Sequence, residues 1–294
     1  MPELPDIIVY RDALDARVRG QVLMRVRLLN PFLLRTAIPP ITDVEGMRVL
    51  GVHRLGKRIV LALEDALFLI LHLMIAGRLR WLQGNARAPA RITLAVFEFE
   101  RGALAFTEAG TRRRASLHLV RGADALAAFD PGGIDVMETD ASAFTARLAL
   151  ENHTLKRALT DPRLFSGIGN AYSDEILHRA RLSPLMLTRA LNTDDAVRLL
   201  DAARAVLTEW TDRLRAQAGD SFPEKVTAFH PGMAVHGKFG QPCPVCGAPV
   251  QRIVYAENEC NYCARCQNGG VILRDRALSR LLHKSWPRSI DELG

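Results

Sequence analysis

No cysteine precedes Cys243, and all five cysteines of the chain fall between that residue and Cys266. A disulfide framework, which spreads its cysteines along a short secreted chain, is thereby excluded, and one local metal site is the expectation instead. Long apolar runs are missing too: none reaches about 18 residues, so no membrane-spanning helix is expected. The first residues have neither the basic start nor the apolar stretch of a signal peptide, which makes the cytosol the expected location. Internal repeats and low-complexity tracts are absent. Aromatics are scarce at 6%, and few of the basic residues are lysine.

What is present is a chain of 294 residues with 48% hydrophobic and 24% charged positions, long enough for a sizeable core and for two domains. Its 39 Lys and Arg against 32 Asp and Glu give a net charge of +7. Such a surface favours polyanionic partners, because each neutralised phosphate releases condensed counterions. Arginine, clustered in "TRRRASLH" (Thr111 to His118), offers a planar fork suited to phosphate oxygens. An arginine-rich composition that merely solvates a surface gives the same balance, so charge alone leaves the matter open.

The first half reads as β. After a helical stretch from Ile7 to Arg19, short segments rich in Val, Ile, Leu and Phe follow: "RVLGVHRLGKRIVLALE", "LFLILHL", "RITLAVFEFE" and "ALAFTEAG". Their spacing predicts an antiparallel sandwich or barrel. "FDPGGIDVME" breaks the pattern as a linker. From Ala141 the period turns helical in four segments, the longest capped at Thr193 and Asp194. "DSFPEKVTAFHPGM" reads as a loop. The fold class is therefore α+β, with divisions expected at 1–125 (β domain), 126–140 (linker), 141–235 (helical domain), 236–270 (cysteine hairpin) and 271–294 (tail).

Two Cys-x-x-Cys pairs, Cys243 with Cys246 and Cys263 with Cys266, supply four thiolates to one tetrahedral zinc ion across a β-hairpin. With sulfur at every position the metal holds shape and does no chemistry. Cys260 falls outside the spacing and reads as a bystander. In "LFSGIGNAYSDEILHRA", Gly167 and Gly169 permit a tight turn into a helix N-terminus that offers amides to a phosphate, although G-x-G also marks ordinary turns. Lys57, at the head of a strand, reads by itself as a solvated edge charge. "MPELPDI" is either a stiff tail or, once Met1 is removed ahead of small Pro2, a secondary amine followed directly by Glu3.

Taken in order, "MPELPD", "GKRIVLALE", "LHLMIAGRL", "SGIGNAYSDEIL" and the terminal cysteine hairpin resemble the formamidopyrimidine-DNA glycosylase/endonuclease VIII family across nearly the whole chain. The resemblance implies a β-sandwich, a helix-two-turns-helix domain and a zinc finger, with damaged, double-stranded DNA bound between the halves of a monomer on a bacterial nucleoid. It implies Pro2 as nucleophile and Glu3 as acid/base on the deoxyribose. Lys57 becomes a proton donor or phosphate partner at the damaged nucleotide, and Lys156 and Asn170 become phosphate contacts. Glu175 matches an acidic residue of the helix that follows Asn170, with a structural role open to it. Met74 or Ile75 fills the gap left by an everted nucleotide, an eversion that costs a few kcal/mol of stacking and pairing.

Several positions depart from the family pattern. Asp6 stands where Glu is common. "TEAGTRRRASLHL" lacks the usual aromatic wedge, leaving Arg112, Arg113 and Arg114 for phosphate or the orphaned base. Asn258 occupies the place of a hairpin arginine, and the loop after the last helix is short. The expected activity is excision of oxidised bases through a Schiff base on Pro2, with β- or β,δ-elimination of the strand. The alternatives are an abasic-site lyase or lesion-binding protein with weak glycosylase activity, and a non-enzymatic zinc-ribbon protein that binds nucleic acid.

Overall fold

The computed structural model describes residues 1–84, 86–110, 112–224, 226–255, 258–274 and 287–293, with the side chains of Tyr255, Asn258 and Leu293 outside that set. It divides into two compact units, one formed by Met1–Pro131 with Trp210–Ala228 and the other by Gly132–Glu209 with Phe229–Gly294.

The first unit begins with α1 (Leu4–Val18). Glu3 and Asp6 cap it reciprocally: the Glu3 side chain accepts the Asp6 N–H, and Asp6 Oδ2 accepts the Glu3 N–H at 2.9 Å. Pro5 suits a first turn, where its missing N–H has no helical partner to lose. Leu4, Ile7, Tyr10, Leu14 and Val18 recur at helical spacing, and all are buried.

Eight antiparallel strands follow: β1 (Val22–Leu28), β2 (Met47–Leu55), β3 (Arg58–Leu63), β4 (Leu67–His72), β5 (Gly77–Leu82), β6 (Thr93–Phe99), β7 (Gly102–Glu108) and β8 (Ser116–Arg121). Their order is β5-β7-β6-β1-β2-β3-β4-β8. Only Val22↔Arg48 and Leu23↔Met47 pair β1 with β2, so the order falls into two four-stranded halves. Leu23, Phe97 and Phe106 from one half meet Val49, Ile59, Leu69 and Leu117 from the other, with α1, in a single apolar cluster. This is the expected sandwich, and each such fully buried side chain stabilises it by about 1.5–3 kcal/mol. On the outer side Val60, Ile70 and Val120 pack under Leu126 of α2 (Ala123–Ala127) and Phe129. Burial on both faces explains why β3 is a continuous apolar run where a half-buried strand would alternate.

The second unit contains α3 (Ala141–Ala149), α4 (Leu155–Thr160) and α5 (Asn170–Ala180), the first part of α6 (Thr193–Ala218), the hairpin of β9 (Gln251–Tyr255) and β10 (Asn258–Tyr262), and α7 (Ala264–Asn268). The stretch read as a linker is partly built into this unit. Ile134 donates to Leu164 O and accepts from Ser166 N, and Val136 is buried. A Cβ at Gly133 would lie 2.3 Å from Pro162 O, so that approach admits only glycine. The loop after α6, placed with the helical region by the sequence, belongs as far as Ala228 to the first unit, where Phe222 and Val226 pack on the sandwich core. Helical periodicity marks the apolar face of α6 but not which core that face serves.

In the tail, Ile272 N donates to Arg288 O, and Ile290 is buried in the cluster around the cysteines. Residues 275–286 of the tail lie outside the described residues. Among the described residues no helix is long and apolar enough to cross a membrane.

Candidate active site and zinc centre

Burial in the first unit gathers chemistry around the chain start. Pro2, Glu3 and Asp6 are all buried, because the reciprocal cap folds the first residues against the sandwich. The terminal amine of Met1 is held below its ordinary value of 8.0, chiefly by burial; Arg78 and Lys57 lower it further, while Glu3 and Asp6 oppose them. An amine so placed is neutral, and therefore nucleophilic, at lower pH than a solvated one.

Asp6 is pushed up to about 7, first by burial and secondarily by Glu3, against the hydrogen bond from the Glu3 amide. Its Oδ1 is buried with no hydrogen-bond partner among the described residues, as suits a carboxyl that keeps a proton. Asp6 also lines a cavity of about 380 Å³ with Val9, Leu214, Phe222, Glu224 and Val226.

Lys57 lies at the tip of the β2–β3 hairpin beside Gly56, whose φ of +59° meets the left-handed requirement of so short a turn. His72, opposite Arg58 at the end of β4, is pushed down to about 4 by burial, with Arg58, Lys57 and His118 adding to the effect, and is neutral near pH 7. The turn from Leu73 to Gly77 closes through Gly77 N to Leu73 O at 2.8 Å. A Cβ on Gly77 would stand 2.2 Å from that oxygen. Met74 takes a left-handed φ of 52° and is half-buried, whereas Ile75 is 55% exposed at the apex. Arg78 braces the turn, donating to Gly77 O and Ile75 O through Nη1 and to Val226 O through Nε at 2.7 Å.

The arginine loop is pinned at its base. Glu108, 1% exposed, accepts Arg114 N at 3.0 Å and Ala115 N through both oxygens. Arg112, Arg113 and Arg114 are exposed, and Arg113 Nη2 donates to Arg91 O.

In the second unit the Sγ atoms of Cys243, Cys246, Cys263 and Cys266 all lie within 4.8 Å of one another, with 3.9 Å between Cys243 and Cys266 and 3.4 Å between Cys246 and Cys263. A tetrahedral zinc with bonds of about 2.3 Å sets its sulfurs roughly 3.8 Å apart, so this quartet fits one structural zinc ion. Burial pushes the Cys263 thiol up to about 11, and the metal must displace such protons to bind. Cys260 is buried away from the quartet, its thiol driven far up by burial and then by Asp174, and it is inert at neutral pH.

The turn into α5 is supported from below. Lys156 Nζ donates to Asn170 O at 2.6 Å, Ser173 Oγ at 2.8 Å and Asp174 Oδ1 at 2.6 Å. Its three N–H groups are thus engaged within the protein, and a phosphate at Lys156 has to displace one of them. Asn170 Nδ2 donates to Glu259 O of β10 at 2.9 Å. Glu175 has a structural role: its carboxylate accepts the amides of Ala234, Val235 and His236 at 2.8, 2.9 and 2.9 Å. Asp174 Oδ2 pairs with His236 Nδ1 at 2.8 Å.

Residues that the sequence reading does not single out are His72, Arg78, Glu108, His178 and His236. His72 and Arg78 both stand in "LHLMIAGRL", where a charged or titratable residue on each side of a tight turn is the available signal. Glu108 acts on the backbone of the loop that follows it, and His178 and His236 act through partners distant in sequence.

Comparisons with known proteins bear on this arrangement. Residues 1–116 match the formamidopyrimidine-DNA glycosylase N-terminal domain, residues 132–216 its H2TH domain, and residues 240–269 the zinc finger found in FPG and IleRS. The chain is 35% identical over 283 residues to the formamidopyrimidine-DNA glycosylase of Thermus thermophilus, covering 92% of this chain and 100% of that protein. Among solved structures, the MutM (FPG) protein of Thermus thermophilus is similar at 33% identity and a TM-score of 0.75, over 90% of this chain and 98% of that one. Lactococcus lactis FPG, solved with DNA containing an oxidized pyrimidine, is similar at 25% identity and a TM-score of 0.79, over 91% and 100% of the respective chains.

Proposed function

This chain belongs to the formamidopyrimidine-DNA glycosylase family, and from that premise we propose that it excises oxidised bases from duplex DNA through a Schiff base on Pro2 and then cleaves the abasic strand. Membership makes it a DNA-repair glycosylase with one structural zinc ion. The observation that carries the finer reading is the buried chain start, which sets Pro2 directly beside the buried carboxyls of Glu3 and Asp6. Removal of Met1 makes the nitrogen of Pro2, itself buried, the terminal amine.

In the first step the Pro2 nitrogen forms a bond to C1′ of the deoxyribose. The glycosidic bond breaks, its electron pair leaves with the base, and the base takes up a proton. Loss of the amine proton gives a neutral aminal; the C1′–O4′ bond then breaks, its electron pair leaves on O4′, which takes up a proton, and the opened ring carries an iminium ion that acidifies C2′. Removal of a C2′ proton then expels the 3′ phosphate with the C3′–O electrons, and a second elimination at the 5′ side follows by the same logic. Glu3, adjacent and 2% exposed, is the acid/base for the sugar protons. Lys57 serves the damaged nucleotide as proton donor or phosphate partner. Ile75, exposed at the apex of its turn, is the wedge, with Met74 shaping that turn from behind. Arg112, Arg113 and Arg114 meet the opposite strand; Asn170 and the hairpin at Asn258 meet the backbone, with Lys156 holding Asn170 in place.

The missing aromatic in the Arg112–Arg114 loop favours a second reading, an abasic-site lyase with little glycosylase activity. One experiment separates the two. The protein is incubated with duplexes carrying an abasic site, 8-oxoguanine or an oxidised pyrimidine, borohydride is added, and the adduct is mapped. Covalent capture through Pro2 with an oxidised base supports the proposal, and capture with the abasic site alone supports the second reading. No adduct, or Met1 retained by intact mass, refutes both.

A further inference from the structure

His178 lies in the last turn of α5 with 6% of its surface exposed, and its Nε2 is 3.3 Å from Cys243 Sγ. We propose that His178 belongs to the zinc centre, as a positioning residue whose Nε2–H donates to the metal-bound Cys243 thiolate. The inference builds on the four-cysteine zinc site.

A thiolate bound to zinc has no proton and only accepts, so a hydrogen bond between these atoms requires the ring proton on Nε2 and a bare Nδ1. The charge balance gives that proton a purpose. Four thiolates around a divalent ion leave two negative charges uncompensated, and Cys243, 2% exposed, is too buried for water to share them. Cys263, also buried, meets the same need through the backbone, since Cys266 N donates to its sulfur at 3.5 Å. Each buried sulfur thus receives an N–H, and at Cys243 a side chain of α5 provides it.

The consequence reaches beyond the metal. The helix that ends at the zinc site begins at Asn170, whose amide holds Glu259 O, and between them Glu175 grips the segment leading into the first cysteine pair. The metal centre and the turn proposed to meet the DNA backbone therefore share one rigid element, and His178 is the link at the metal end. Partners of this kind orient a ligand and raise the affinity of the site.

The test uses the full-length protein. In the cadmium-113 form labelled with nitrogen-15 histidine, the His178 imidazole should show a slowly exchanging proton on Nε2, with a scalar correlation from that proton to the metal. In the zinc form, His178→Phe should release metal to a chromogenic chelator about 10- to 100-fold faster than the parent. His178→Gln, which keeps an N–H donor, should fall between them. A ring protonated only on Nδ1, the absence of a correlation to cadmium, or release from His178→Phe at the parental rate each overturns the proposal. A packing role alone predicts the last of these, and the spectra of the unmodified chain decide the matter even if a variant folds poorly.

Discussion

Replacing Asp6 by Asn tests whether the first turn of α1 stores a proton. Asp6 rises from 3.8 to about 7 in the folded protein, so between those values the native state binds a proton that the unfolded chain releases. Stability from this group is fully present below pH 4 and is lost as pH rises through about 7. A shift of about three units at 1.36 kcal/mol each sets a ceiling of about 4 kcal/mol on that loss. Asn keeps the oxygen that accepts the Glu3 amide and does not titrate. Groups remote from Asp6 titrate alike in both proteins, so the difference between them reports Asp6 together with Glu3 and the terminal amine that it faces. Urea unfolding at pH 5 and pH 8 should therefore show Asp6→Asn gaining on the parent at the higher pH, by up to about 2.7 kcal/mol, because about two of those three units lie between the two pH values. A difference infrared spectrum of the native parent should show a protonated carboxyl that disappears near pH 7 and is missing from the variant. Parallel pH dependence in the two proteins, or no protonated carboxyl at pH 6, would refute the reasoning.

Two further outcomes follow from geometry already described. Glu175→Gln removes the charge from an acceptor of three amides and should lower stability by about 2–3 kcal/mol, read by thermal unfolding, with weaker binding to abasic-site duplex as the 234–236 segment loosens. An unchanged melting temperature would refute the structural role. Ile75→Ala, at a position 55% exposed, should change stability by less than about 0.5 kcal/mol yet slow excision from duplex far more than cleavage of a single-stranded abasic site, since only the duplex needs an eversion wedge. Equal slowing on both substrates would assign Ile75 no wedge role.

The parts legible in the sequence are those whose signal is local. Two Cys-x-x-Cys pairs announce the metal by spacing, and α3 to α6 announce themselves by period. β1, with Leu23 its one fully buried position, carries too weak an alternation to read as a strand, although it joins the two halves of the sandwich. The candidate site shows the same division. Pro2, Glu3 and Lys57 stand in recognisable motifs, but what Arg78 does depends on Val226, and what His178 does depends on Cys243, partners that no spacing rule connects. Asp6 is visible as a departure from a pattern. Its proton follows from the burial of Oδ1, which only the packed structure supplies.

Asn170, Asp174 and His178 follow one another at intervals of four along α5, and each holds a different part of the polypeptide that carries the cysteines. Helix geometry turns each added or deleted residue into a rotation of about 100°. One insertion between Asn170 and His178 would swing one end of this row away from its partners while leaving every side chain in the sequence. Such a helix behaves like a key with three teeth: individual teeth can be recut, but the distance between them cannot drift. Over evolutionary time α5 should therefore accept substitution at its contact points and resist any change of length, even where the loops on either side vary freely.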